Sequence, residues 1–240
     1  MENTVKIFQS VNDLAKFALE KLAKKIGKVP KEKFYTVALS GGTTPKQLFE
    51  YLALNGQKAV NWNRILFFWC DERCVFPDSD ESNYRMVRLH LLEKLGIPEN
   101  HIFRIYGEAN PDEEAQRYSQ ILTKNIDLKN GLPCFDLILL GLGEDGHTAS
   151  IFPGNTQLFK SEQLCEAVKH PQTGQYRVTL TGRVINNATN VVFLVTGSGK
   201  AEIVFNVLTT VKNDFPASLV SPAHGRLTWL LDKDAAIGLL

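Results

Sequence analysis

The 240-residue sequence predicts an α/β fold: a mainly parallel, modified Rossmann-like sheet with helices on both faces. Three observations predict it. Short, mostly apolar runs recur at residues 35–39, 65–70, 102–105, 135–140 and 191–195, as strands buried on both faces of a parallel sheet do. The segments between them carry apolar residues at helical spacing. Several runs end in Gly-rich or charged turns. Parallel crossovers are right-handed, so these turns gather at the edge where open α/β sheets bind ligands.

In chain order, residues 5–8 predict a short first strand. Ser10 then caps a helix with Val11, Leu14, Ala15, Ala18, Leu22 and Ile26 on one face. Lys21, Lys24, Lys25, Lys28, Lys31 and Lys33 read as solvated surface, since no aromatic residues interleave them. Run 35–39 ends in Ser40-Gly41-Gly42-Thr43-Thr44-Pro45. Thr44 is the expected N-cap of the next helix, with Pro45 in its first position and Gln47 closing a capping box. A Gly-Gly turn with hydroxyls feeding a helix N-terminus suits an anion, although its spacing is neither a Walker motif nor a dinucleotide fingerprint.

Run 65–70 delivers Asp71, Glu72 and Arg73 to the same edge. They read either as a surface ion cluster or as a hydroxyl acceptor with an anion clamp. A helix follows with Tyr84, Val87, Leu91 and Leu95 on one face, then the strand at 102–105. Pro111 opens another helix, with Ala115, Tyr118, Leu122 and Ile126 at helical spacing.

Run 135–140 enters Gly141-Leu142-Gly143-Glu144-Asp145-Gly146-His147-Thr148-Ala149-Ser150-Ile151-Phe152-Pro153. The glycines let the backbone turn sharply and approach a ligand. An imidazole changes charge near neutral pH, and His147 follows Asp145 by two residues at a strand's carboxyl end, which suits general base work. The plainer reading, a polar loop with a capping histidine, does not explain why strand, glycines and Asp-Gly-His triplet coincide.

Residues 164–168 and 176–180 predict a hairpin, a small excursion around 160–181 from a single domain spanning 1–240. Val178 and Leu180 alternate with polar residues, so one face is expected to be wet. Run 191–195 enters Thr196-Gly197-Ser198-Gly199-Lys200 and a helix with Ala201, Val204, Leu208 and Val211. Lys200 at that helix start suits a phosphate, without Walker spacing. Residues 217–220 and 227–231 predict the last strands, with His224 and Arg226 between them.

A net charge of +1 with 44% apolar residues argues against a nucleic-acid or membrane-surface binder. No apolar run approaches the ~18 residues of a membrane span. The start, Met1-Glu2-Asn3-Thr4-Val5-Lys6, lacks the apolar stretch of a secretory signal. Cys70, Cys74, Cys134 and Cys165 show no paired spacing, so neither zinc nor a disulfide framework is expected, and the expected compartment is the cytosol. The converging loops suit a small phosphorylated, polyhydroxylated ligand and call for no metal.

The sequence resembles the glucosamine-6-phosphate isomerase/6-phosphogluconolactonase family, in the larger group that includes ribose-5-phosphate isomerase. The resemblance rests on Ser40 to Pro45, on Asp71-Glu72-Arg73 with Ser82-Asn83, and on Gly141 to Pro153. Gly197-Ser198-Gly199-Lys200-Ala201 and Trp229-Leu230-Leu231-Asp232 add to it. It implies hydrolysis of 6-phospho-D-glucono-1,5-lactone to 6-phospho-D-gluconate in the oxidative pentose phosphate pathway, without metal or cofactor. His147 would take a proton from water and Asp145 would orient its ring. Gly41, Gly42, Thr43, Thr44, Arg73 and Lys200 would hold the phosphate, and Asp71 or Glu72 would accept sugar hydroxyls. The family's deaminases carry a glutamate where this chain has Phe152 and an asparagine where it has Ile151, which speaks against that activity. A non-catalytic sugar-phosphate sensor would need a DNA-binding segment, for which the sequence shows no basic helix.

Overall fold

The computed structural model describes residues 4–209 and 215–240. Residues 1–3 of the expected leaderless start and Val211 of the expected helix face lie outside them. The chain begins β1 (Thr4–Phe8), α1 (Val11–Ile26), β2 (Tyr35–Leu39), α2 (Thr43–Asn55), β3 (Ile65–Trp69), β4 (Asp71–Arg73), α3 (Asn83–Val87), α4 (Glu93–Leu95), β5 (Ile102–Phe103) and α5 (Pro111–Asn125). It continues β6 (Leu128–Lys129), β7 (Leu132–Pro133), β8 (Leu137–Leu140), β9 (Cys165–Lys169), β10 (Tyr176–Leu180), α6 (Gly182–Ile185), β11 (Asn190–Val195), α7 (Ala201–Thr209) and β12 (Arg226–Asp232). A π-helical turn, Arg88–Leu92, joins α3 to α4.

Seven parallel strands form the central sheet in the order β1-β12-β11-β8-β2-β3-β5. All five residues of β2 are buried, as a strand covered on both faces must be. The core is one contiguous apolar cluster. In it Phe193 of β11 stacks on Trp229 of β12 with ring centroids 3.9 Å apart. Each fully buried side chain of this size contributes about 1.5–3 kcal/mol. No helix among the described residues is long and apolar enough to cross a membrane.

At Cys70 the chain leaves this sheet. The Cys70 N–H donates to the Leu39 carbonyl at 2.8 Å, while its own carbonyl accepts from the Leu180 N–H at 2.7 Å. Asp71–Arg73 thereby joins a second, antiparallel sheet in the order β4-β10-β9. The expected hairpin is present, but it is built onto β4 rather than standing free.

Four local expectations need correction. Helix α2 is capped by Gly42, not Thr44, because glycine accepts the φ of +109° that starts the helix earlier. The Thr44 hydroxyl instead meets that of Thr196 at 2.7 Å. Residues 217–220 do not form a strand: Pro216, with a fixed φ and no N–H for a ladder, starts a 3₁₀ turn over Pro216–Leu219. The strand at 102–105 stops at Phe103, and Arg104 turns to make two hydrogen bonds with Glu108. The wet face of the hairpin is absent at its end, where Val178, Thr179 and Leu180 are all fully buried and α5 packs against β9 and β10.

Candidate active site

The carboxyl ends of β2, β3, β8 and β11 open into a cavity of about 600 Å³. Gly41, Gly42, Thr43, Thr44, Asp71, Arg73, His147 and Lys200 all line it, so the four loops expected to meet do meet.

His147 stands on the loop after β8. Its Nδ1 lies 2.5 Å from Asp145 Oδ1, and the same oxygen accepts the His147 backbone N–H at 3.1 Å. A carboxylate facing Nδ1 makes that nitrogen the donor and leaves Nε2 as the free acceptor. Burial works against ionisation of Asp145, but the hydrogen bonds from His147 outweigh it and hold the carboxyl below its ordinary range. Asp145 itself stands behind the ring and off the cavity wall. The ring lies 4.9 Å from that of Phe152, centroid to centroid. Gly143 makes room for it, since a Cβ there would lie 2.1 Å from His147 Nδ1.

The two acids of Asp71–Arg73 separate by orientation, as successive residues of a strand must. Asp71 lines the cavity, only 4% exposed, with Oδ2 accepting the Ser150 hydroxyl at 2.7 Å. Glu72 points the other way and does not line the cavity. Its carboxylate accepts the backbone N–H groups of Arg73, Asn83 and Tyr84 and the Ser82 hydroxyl, all within 3.1 Å. Burial pushes its pKa up to about 7, against the pull of those N–H groups. Of the pair expected to receive sugar hydroxyls, Asp71 alone is placed for it; Glu72 is occupied by the N-terminus of α3.

On one flank, the start of α2 faces the β11 turn. Gly42 and Gly197 both have positive φ there, and the Gly197 N–H is held by the Asp232 carboxylate at 3.0 Å. Lys200 rises from the same turn. The other flank carries Arg73 and a residue that the sequence did not single out, Arg177 of β10, its direct cross-strand partner. The only available signal for Arg177 was its place on the polar side of an alternating strand, which read as solvent-facing.

A family model described as glucosamine-6-phosphate isomerases/6-phosphogluconolactonase matches residues 9–229. The chain belongs to this family. Within the glucosamine-6-phosphate isomerase/6-phosphogluconolactonase family, a 6-phosphogluconolactonase of Treponema pallidum is 43% identical over 82% of this chain and 78% of its own. One from Haemophilus influenzae is 42% identical over 85% and 87%. The solved structure of 6-phosphogluconolactonase from Trypanosoma brucei superposes with a TM-score of 0.88 at 30% identity, covering 100% of this chain and 99% of that one. His224 stands outside the cavity, 3.1 Å from the Asn130 side-chain nitrogen.

Proposed function

We propose that the protein hydrolyses 6-phospho-D-glucono-1,5-lactone to 6-phospho-D-gluconate, a step of the oxidative pentose phosphate pathway, in the cytosol. The observation that carries this reading is the Asp145–His147 pair, whose imidazole lines a cavity that also holds a helix N-terminus and a lysine. The names of the relatives support the substrate. The four cysteines are free, which suits a reducing compartment.

The lactone carbonyl is already electrophilic, so the protein chiefly activates and orients water. Nε2 of His147 takes a proton from the water as its oxygen attacks C1. Asp145 fixes the ring's tautomer and stabilises the imidazolium. When the tetrahedral intermediate collapses, the bond from C1 to the ring oxygen breaks and His147 returns its proton to that oxygen. The 41–44 turn and Lys200 hold the phosphate, as a helix start and an ammonium suit it. Asp71 accepts a sugar hydroxyl.

A deaminase reading requires an acid that assists ring opening beyond the triplet. Ile151 and Phe152 are fully buried apolar residues and supply none. The decisive experiment generates the lactone from glucose 6-phosphate and follows 6-phosphogluconate formation above the spontaneous rate, beside an assay of ammonia release from glucosamine 6-phosphate. Acceleration of the first alone is expected; ammonia release without lactone hydrolysis would overturn the reading.

A further inference from the structure

We infer that Arg177, together with Arg73, receives the negative charge that develops on the lactone carbonyl oxygen and remains on the product carboxylate. This rests on the lactonase reading and adds to it a second anion site, separate from the phosphate site.

The first argument is the arrangement itself. Arg73 and Arg177 are paired directly across two antiparallel strands, and both line the cavity. Like charges in that position repel and destabilise a sheet. Among the described residues neither guanidinium has a carboxylate within 4 Å to relieve this. Arg73 donates to the Glu81 carbonyl and Arg177 to the Gln175 side chain at 3.3 Å. The Nε of each is buried without a partner among the described residues. Burial, and then the neighbouring Arg73, make it harder for Arg177 to hold its proton; Asp71, Glu72 and Glu81 oppose this more weakly. Two guanidiniums that line one cavity with no carboxylate beside them among the described residues are a site that an anion completes.

The second argument is place. In the sheet order β11-β8-β2-β3, the Lys200 turn follows β11 and Arg73 lies just past β3. Three strand spacings separate these flanks, about 14 Å. Arg177 lies on the His147 side: its guanidinium carbon is 5.9 Å from the Phe152 ring, which neighbours the His147 ring. Arg177 thus borders the base through Phe152, and the Lys200 turn lies on the flank opposite Arg73.

The third argument is chemistry. The substrate carries one anion, its phosphate. Attack of water at C1 moves the carbonyl π pair onto the carbonyl oxygen, while the water proton goes to His147. Return of that pair breaks the bond from C1 to the ring oxygen, which takes the proton from His147. The resulting carboxylic acid loses its proton to solvent, so the product has an anion at each end. Charge therefore appears during the reaction only at the end away from the phosphate. Donors waiting there bind the transition state more tightly than the substrate.

The test uses the full chain with Arg177→Gln and Arg177→Lys, each checked for unchanged thermal unfolding. Kinetic constants are measured on the phosphorylated lactone and on unphosphorylated D-glucono-1,5-lactone, and calorimetry gives affinities for 6-phosphogluconate and for inorganic phosphate. Arg177→Gln is expected to lower kcat by about 10–10³ on both lactones with KM changed little. It should weaken 6-phosphogluconate binding at least tenfold and leave inorganic phosphate binding unchanged. Arg177→Lys should recover part of the loss, since it restores the charge but not the fork. A loss confined to KM of the phosphorylated lactone, with weaker inorganic phosphate binding, would make Arg177 a phosphate ligand and overturn the inference. Parental kinetics and product affinity in Arg177→Gln would also overturn it. If Arg177→Gln unfolds, Arg177→Lys decides alone: parental kcat and product affinity overturn the inference, and a fall in both on either lactone supports it. A parent that neither accelerates lactone hydrolysis nor binds 6-phosphogluconate would instead refute the underlying lactonase reading.

Discussion

His147 is held by one oxygen of Asp145 that accepts from both its ring and its backbone. His147→Ala should lower turnover by roughly 10²–10⁴ with product affinity nearly unchanged, measured against the spontaneous rate. Asp145→Asn should also impair turnover, because an amide can present a donor to Nδ1 and favour the wrong tautomer. Since Asp145 stays ionised below its ordinary range, any loss of rate on mild acidification belongs to another group. Glu72 allows a stability test. Its folded pKa of about 7 lies above the unfolded value near 4.5, so its contribution is full below pH 4.5 and lost as pH rises through 7. The difference in unfolding free energy between the parent and Glu72→Gln should favour the parent most at the acidic end and shrink across that window in chemical denaturation. An amide also loses one of the acceptor oxygens that cap α3, which costs about 1–3 kcal/mol for a buried donor left unpaired.

The turn into α2 and the turn after β11 are the elements that distinguish binding from chemistry. Lys200→Ala should raise KM of the phosphorylated lactone and change kcat little, a loss of about 1.5–3 kcal/mol for one charge-assisted bond, read from steady-state kinetics on both lactones. The sequence made these turns legible because glycine, hydroxyl and helix spacing are local properties. It placed the N-cap at Thr44 because capping statistics favour threonine, whereas the close approach of Thr44 to Thr196 is a contact across 152 residues. The division of labour between Asp71 and Glu72 was open for a similar reason. Adjacent strand residues face opposite ways, but which one faces the cavity depends on β4 joining β10. Arg177 was passed over because a polar residue in an alternating strand reads as solvent-facing until a cavity is known to lie there.

At the scale of the molecule, the parallel order was readable from the alternation of apolar runs and helical segments, and the strand sequence across the sheet was not. That order joins residues far apart in the chain, and nothing local encodes it. Its core is where large losses are expected. Phe193→Ala removes a ring stacked on Trp229 and should destabilise the protein by about 3–5 kcal/mol in chemical denaturation. The order also sets a schedule for synthesis. The first strand, β1, has β12 as its partner, and β12 is also the neighbour of β11. A ribosome that has released every candidate site residue up to Lys200 has therefore left two strand edges bare. The Gly197 N–H must also wait for Asp232, at the end of that last strand, to supply its acceptor. Domains fold as units during translation, and exposed edges invite pairing with other chains. The nascent protein thus holds its whole catalytic inventory for some thirty residues of elongation before the phosphate turn is anchored.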